Sequence, residues 1–271
     1  MAETGTIRAG MGGWVFAPWR DNFYPAGWVQ RRELEYASRQ VGAIEINSTY
    51  YRAQNPSTYA RWRDETPVGF VFSAKAPKRI MQSRRLAGTR GQVEDFLGDL
   101  ITLDNRLGPV VWQIDRGQRL DREDFTAFLD LLPARLDGHR LRHALDVRDA
   151  TFVDADHVAR ARARGMAIVF TDAPELPQAA DLTADFVYAR LMRSRSGLAD
   201  GYAREEIAYW AGIARDWSQG KDPVELPHAS PVPATPAARD VFVFFIAAAK
   251  ERNPAAALAL QRQLGICHGG A

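Results

Sequence analysis

The stretch Ala43-Ile44-Glu45-Ile46-Asn47-Ser48-Thr49-Tyr50-Tyr51-Arg52 decides the fold. Ile44 and Ile46 fall on one side of an extended chain, Glu45 and Asn47 on the other, because successive strand side chains point to opposite faces. A surface strand also alternates. Here the run ends in a dense polar and aromatic cluster, and the same arrangement recurs along the chain.

Working outward, eight stretches read as strands: 7–11, 43–47, 70–75, 110–114, 144–148, 167–171, 186–191 and 241–246. Helical patterns separate them. Leu34, Ala37 and Val41 share a face in 28–41, and Asn55-Pro56 opens a second helix. Val93, Phe96, Leu97, Leu100 and Ile101 mark an amphipathic third. Asp121 and Asp154 are N-cap candidates, 203–219 is a long helix, and Asn253-Pro254 opens a last one stopped by Gly265. After the sixth strand, Pro174 and Pro177 leave room for only a short helix. Eight alternating units imply a parallel sheet with right-handed crossovers. The reading is an α/β protein, a (β/α)8 barrel of the TIM type, in one domain over 1–271. The rival, an open doubly wound sheet, lacks a G-x-G-x-x-G or P-loop after any strand.

Segment 221–237 holds five prolines and reads as an extended or disordered insertion. It precedes the eighth strand, so it is expected at the bottom of the barrel and dispensable for the fold, since prolines supply no regular ladder.

The 271 residues are 46% hydrophobic and 25% charged with net charge +2, an ordinary globular balance that does not argue for nucleic acid by total charge. One cysteine, Cys267, rules out a disulfide framework within the chain and fits a reducing compartment. The first ten residues lack an apolar signal region. The longest apolar run, 241–249, is too short to span a bilayer. The expectation is a cytoplasmic protein with no membrane partner; the oligomeric state stays open.

Gly10-Met11-Gly12-Gly13-Trp14, Phe23-Tyr24-Pro25, 45–52, Phe72-Ser73-Ala74-Lys75-Ala76-Pro77, Leu107-Gly108-Pro109-Val110, Asp146-Val147-Arg148 and Val187-Tyr188-Ala189-Arg190-Leu191 come in a fixed order over nearly the whole chain. They resemble the signature runs of the domain-of-unknown-function family 72 (YecE-like). The resemblance implies the (β/α)8 barrel and no established activity; an analogy to apurinic endonucleases and xylose isomerases is one of fold alone. Three departures stand out. Met192 follows Arg190-Leu191 where the family usually has His, alanines follow the eighth strand where it has an Asn pair, and Gly12 stands where Ser is usual.

Active sites of such barrels lie at the C-terminal strand ends. Strand parity puts Glu45 with Asn47, Ser73 with Lys75, Gln113 with Asp115, Asp146 with Arg148 and Tyr188 with Arg190, each opposite a mostly apolar face, so the polar faces point inward. Buried charge must pair or bind ligand. Arg148 and Arg190 are candidates to hold an anion. Glu45 or Asp146 suits a general acid or base, and Lys75 a proton donor, electrophile or nucleophile. Asn47 and Gln113 would contact ligand; Trp14, Tyr50 and Tyr51 would rim the mouth and stack on a sugar or base. Lys75, Arg148 and Arg190 outnumber Glu45 and Asp146 by one charge, unless Asp115 turns inward and closes the set into a salt-bridge plug. None of His139, His143, His157, His228 and His268 lies at a C-terminal strand end, so no transition metal and no cofactor is expected; carboxylate-held Mg²⁺ stays open.

Lys78, Arg79, Arg84, Arg85 and Arg90 follow the third strand, and Arg193 and Arg195 the seventh, giving a positive rim on the same face. Three functions fit. One is a barrel for a small anionic, phosphorylated ligand. The others are a nucleic-acid-binding or nucleic-acid-processing barrel and a Schiff-base lyase through Lys75.

Overall fold

Eight parallel strands close on themselves: β1 (Ile7–Gly12), β2 (Ala43–Ile46), β3 (Val71–Lys75), β4 (Leu107–Ile114), β5 (His143–Val147), β6 (Ala167–Asp172), β7 (Phe186–Leu191) and β8 (Asp240–Phe245). Each pairs with the next, and β1 closes on β8 with Ile7 opposite Val241 and Met11 opposite Phe245. The computed structural model describes residues 4–118 and 120–266; Cys267 and His268 lie outside them.

The period of two sorts the side chains as parity demands. Ala43, Val71, Val111, Ala144, Val169, Phe186, Tyr188 and Phe244 form an interior cluster. The alternate residues, such as Ile44, Phe72, Trp112, Leu145 and Phe170, belong to the larger core under the helices. A Cβ on Gly10 would meet the Ala43 carbonyl oxygen at 2.1 Å and the Phe244 ring at 3.2 Å, so only glycine lets β1 lie this close to β2. Phe244 then stacks on Tyr188, centroids 5.0 Å apart.

The helix signals are realised locally. The Asp121 carboxylate accepts from the Asp124 N–H at 2.8 Å and Asp154 from the His157 N–H at 2.9 Å, satisfying donors that a helix start leaves free. Gly265 ends the helix Asn253–Leu264 in the left-handed conformation, φ 72°. Asn55 occupies the cap position of Pro56–Glu65 without a side-chain cap bond. A two-residue hairpin, Arg135–Leu136 with His139–Arg140, turns on Asp137-Gly138, both at positive φ.

No helix forms between β6 and β7: 173–185 is irregular. Segment 221–237 covers that gap, in the extended form that was one of the two expected for this insertion. It is extended, as its prolines require, yet the Asp181 carboxylate accepts from the N–H groups of Ala229 (2.7 Å) and Ser230 (3.0 Å), and Ala180 N–H donates to the Pro227 carbonyl at 2.8 Å. Leu226 and Asp181 are buried there. Arg239 clamps both sides, donating to the carbonyls of Ala184, Ala237 and Thr235 at 2.8–2.9 Å.

Candidate functional site

Glu45, on β2, is 1% exposed and its Oε2 accepts from the Tyr188 hydroxyl at 2.5 Å and from Arg190 Nε and Nη2 at 3.0 and 2.8 Å. Arg190 Nη1 donates to Gln113 Oε1 at 3.2 Å and also to Asp146. The Ser73 and Tyr188 hydroxyls share a 2.8 Å bond. One guanidinium thus ties β7 to β2, β4 and β5. Burial opposes its charge, but Glu45 and Asp146 outweigh burial and hold it protonated. Burial, then the Glu45 charge, push the Tyr188 hydroxyl well above its ordinary range. The second Glu45 oxygen, Oε1, is buried with no hydrogen-bond partner among the described residues.

Above this layer, Arg148 donates from Nε to Asp146 Oδ2 at 3.1 Å, its side chain 21% exposed. Asp115 turns inward. It accepts from the Tyr50 hydroxyl at 2.6 Å and from the Gln113 amide. Burial would raise its pKa; those two bonds, with Lys75 and Arg148 nearby, lower it instead. Glu45, Asp115 and Asp146 therefore balance Lys75, Arg148 and Arg190. The surplus positive charge expected there is absent, because Asp115 joins the set. Arg190, Gln113, Glu45 and Asp146 form a closed floor.

A cavity of about 450 Å³ opens over that floor, between the ends of β1 to β3 and the loop after β8. Trp14, Asn47, Tyr50, Tyr51 and Lys75 line it; Gln113, Arg148 and Arg190 do not. Ile246, Ala247, Lys250 and Asn253, from the segment that follows β8, complete the wall. Among the described residues the lining contains two lysines and no Asp or Glu.

Lys75 Nζ lies 3.9 Å from the Tyr50 ring centroid. Burial, followed by the Arg190 charge, lowers its pKa to about 8. Burial and the bond to Asp115 push the Tyr50 hydroxyl up to about 12. Lys250 Nζ lies over Phe16 (4.5 Å) and Trp19 (5.6 Å), and burial lowers its pKa too. The Trp19 indole donates to the Lys250 carbonyl at 2.9 Å, joining the loop after β1 to the loop after β8. Trp14 rests edge-on against Trp62 at 5.0 Å, whereas Tyr51 is 74% exposed on the rim.

Sequence reasoning missed Lys250 and Asn253, which follow β8 in a short 3-10 turn and at the first position of the helix Asn253–Leu264, where no strand parity applies. The available signal was position: Lys250 follows β8 by five residues, on the mouth side. The three departures have local consequences. A Cβ on Gly12 would come within 3.0 Å of Asn47 Nδ2, so glycine leaves the Asn47 amide room beside the cavity. Ala247 and Ala248 hold φ of 59° and 43°, left-handed values that asparagine tolerates better than alanine. Met192 is only partly buried.

On the rim, Lys78, Arg79, Arg84 and Arg85 are exposed and meet no carboxylate at ion-pair distance among the described residues. Arg90, Arg193 and Arg195 pair with Glu94, Asp172 and Glu206. His143 is buried at the start of β5, His157 is buried in the helix Ala155–Ala163, and His139 and His228 face Asp104 and Asp222. Among the described residues no three His, Cys, Asp or Glu side chains converge as a metal site, and no helix is long and apolar enough to cross a membrane.

The family model described as "Protein of unknown function DUF72" matches residues 8–270. The chain is 26% identical over 225 residues to the UPF0759 protein YecE of Escherichia coli K12, covering 75% of this chain and 81% of that protein. A solved DUF72 family protein from Enterococcus faecalis V583 superposes with TM-score 0.72 at 16% identity, covering 96% of each chain. Another, from Thermotoga maritima MSB8, gives 0.71 at 18%, covering 96% of this chain and 99% of the other. At these identities the two structures establish the barrel and nothing finer.

Proposed function

The chain belongs to the DUF72 family of unknown function, and from that premise we propose that its barrel mouth holds a small anionic molecule, such as a phosphorylated metabolite, without a transition metal. The supporting observation is the cavity lining: among the described residues Lys75 and Lys250 are its charged groups, and no Asp or Glu side chain lines it. Such a wall attracts a negative ligand group, while Trp14, Tyr50 and Ile246 offer an apolar or stacking surface to the remainder. Lys78, Arg79, Arg84 and Arg85 on the rim would steer an anion inward. The floor beneath would contribute rigidity and, through the Arg190 charge, shift Lys75 toward its neutral amine rather than touch ligand. Equilibrium titration with inorganic phosphate, sulfate and a sugar phosphate tests the reading. Saturable binding of at least one, weakened in Lys250→Met, supports it; no binding of any of the three contradicts it.

A second reading uses the rim alone. Tyr51 is exposed, with Lys78 Nζ 5.8 Å from its ring, an arrangement suited to stacking a base of single-stranded nucleic acid. Binding that falls steeply with salt and is lost in Tyr51→Ala would favour it.

A further inference from the structure

We propose that Lys75 is a nucleophile that forms a reversible imine with a small molecule bearing both a carbonyl and an anionic group, the anion resting toward Lys250. The inference rests on the anion-site reading above and adds the reacting atom and the substrate class.

Its first support is residue choice. Among thirty-five lysines and arginines only four are lysines, at 75, 78, 221 and 250. The other positions all carry arginine, yet both cations among the described residues that line the cavity are lysines. Arginine serves at least as well for anion binding, but its guanidinium cannot lose a proton and makes no imine; an amine can do both.

The second support is geometry. Lys75 ends β3, a strand hydrogen-bonded on both sides, so its backbone is fixed. Among the described residues its Nζ makes no hydrogen bond or ion pair and meets the Tyr50 ring instead. Lys221, by contrast, pairs with Asp216 at 2.7 Å. The Arg190 guanidinium below, held protonated by Glu45 and Asp146, favours the neutral amine at position 75. A lowered Lys75 pKa accords with that geometry. Lys250 lines the same cavity and, among the described residues, makes no ion pair; its Nζ rests over the Phe16 ring and is available to a carboxylate or phosphate.

The step balances without a further reagent. The Nζ lone pair forms a bond to the carbonyl carbon while the C=O π pair moves to oxygen. Nitrogen loses a proton and oxygen gains one, giving a carbinolamine. Nitrogen then expels the hydroxyl, which takes a second proton and leaves as water. The product is a protonated imine, formed from amine, carbonyl and one proton with release of one water. The open mouth supplies the protons from solvent.

Trapping tests this. The full-length protein is incubated with glyoxylate, or with uncharged acetaldehyde as control, and sodium cyanoborohydride; adducts are then located by peptide mass mapping. Glyoxylate should add at Lys75 about tenfold faster than at Lys78 or Lys221, since a lower pKa leaves more neutral amine near pH 7. The rate should rise with pH through about 8, inorganic phosphate should protect, and acetaldehyde should show no such preference. Lys75→Arg, which keeps the charge, should abolish the adduct while remaining folded. Labelling spread evenly over the lysines, or directed to Lys250, overturns the inference. If phosphate binds and Lys75 still resists trapping, the imine is wrong and the anion site stands. If phosphate neither binds nor protects, both fall.

Discussion

Arg190 reaches across the barrel to Glu45: Nη2 and Nε lie 2.8 and 3.0 Å from the same carboxylate oxygen, although β8 and β1 separate their two strands in the sheet. With Asp146 on its other side, Arg190 is 2% exposed and fully committed.

Removing one partner of a buried ion pair leaves the other charge unpaired. Arg190→Met should therefore destabilise the protein by about 3–5 kcal/mol in urea unfolding. Combining it with Glu45→Gln should recover part of that loss. Additive losses would mean the two residues do not interact as described.

Arg148 differs. It is partly exposed, and Asp146 keeps Arg190 when Arg148 is gone. Arg148→Ala should cost about 1 kcal/mol or less, measured by the same unfolding assay. A loss approaching that of Arg190→Met would make Arg148 part of the sealed floor.

Lys75 is held below its ordinary pKa, so the folded state disfavours its charge. The destabilisation is fully present below pH 8 and fades as pH rises from about 8 toward 10.5, where the unfolded chain also loses the proton. Lys75→Met should raise stability near pH 7 by about 1–2 kcal/mol after allowance for partial exposure. The gain should shrink toward pH 10.5. Denaturant midpoints across that range check both the sign and the slope.

His143 and His157 are buried, and burial lowers each pKa to about 4. The Trp112 indole donates to His143 Nδ1 at 3.0 Å while Nε2 faces the Pro133 carbonyl at 2.9 Å, so the neutral tautomer fits and a second ring proton would break the Trp112 bond. Their folded pKa values lie below the unfolded 6.5, so this contribution is intact above pH 6.5 and is lost as pH falls toward 4. At pH 5 each should cost about 2 kcal/mol relative to neutrality. A protein equally stable at pH 5 and pH 7 would contradict this.

Segment 221–237 stands in for the absent helix between β6 and β7. Its replacement by a Gly/Ser linker should lower the melting temperature well beyond a surface-loop change, and Asp181→Ala alone should cost about 3 kcal/mol by stranding two backbone donors. An unchanged melting temperature in both variants would show the segment to be loose.

Much of this was legible from residue order. A strand period of two leaves no choice about which face Glu45, Lys75, Asp146 and Arg190 occupy once the barrel is recognised. The sum of charges was less legible, because Asp115 lies one residue past β4, where side-chain direction depends on what Tyr50 and Gln113 offer. Lys250 escaped because the short 3-10 turn after β8 carries no strand period. The 135–140 hairpin escaped because its strands are two residues long, although Asp137-Gly138 is a strong turn signal. Proline content correctly excluded regular structure from 221–237. It carried no information on burial, which comes from Asp181, forty residues or more away in sequence.

The anion site itself is tested most directly by thermal unfolding against inorganic phosphate at constant ionic strength. A ligand bound only by the folded state at a hundred times its Kd adds about 2.7 kcal/mol, or roughly 5–10 °C for a chain of this size. The wild-type midpoint should climb and saturate in this way, and a Lys75→Met/Lys250→Met double variant should stay flat. A wild-type midpoint indifferent to phosphate, or an equal rise in the double variant, would contradict the account.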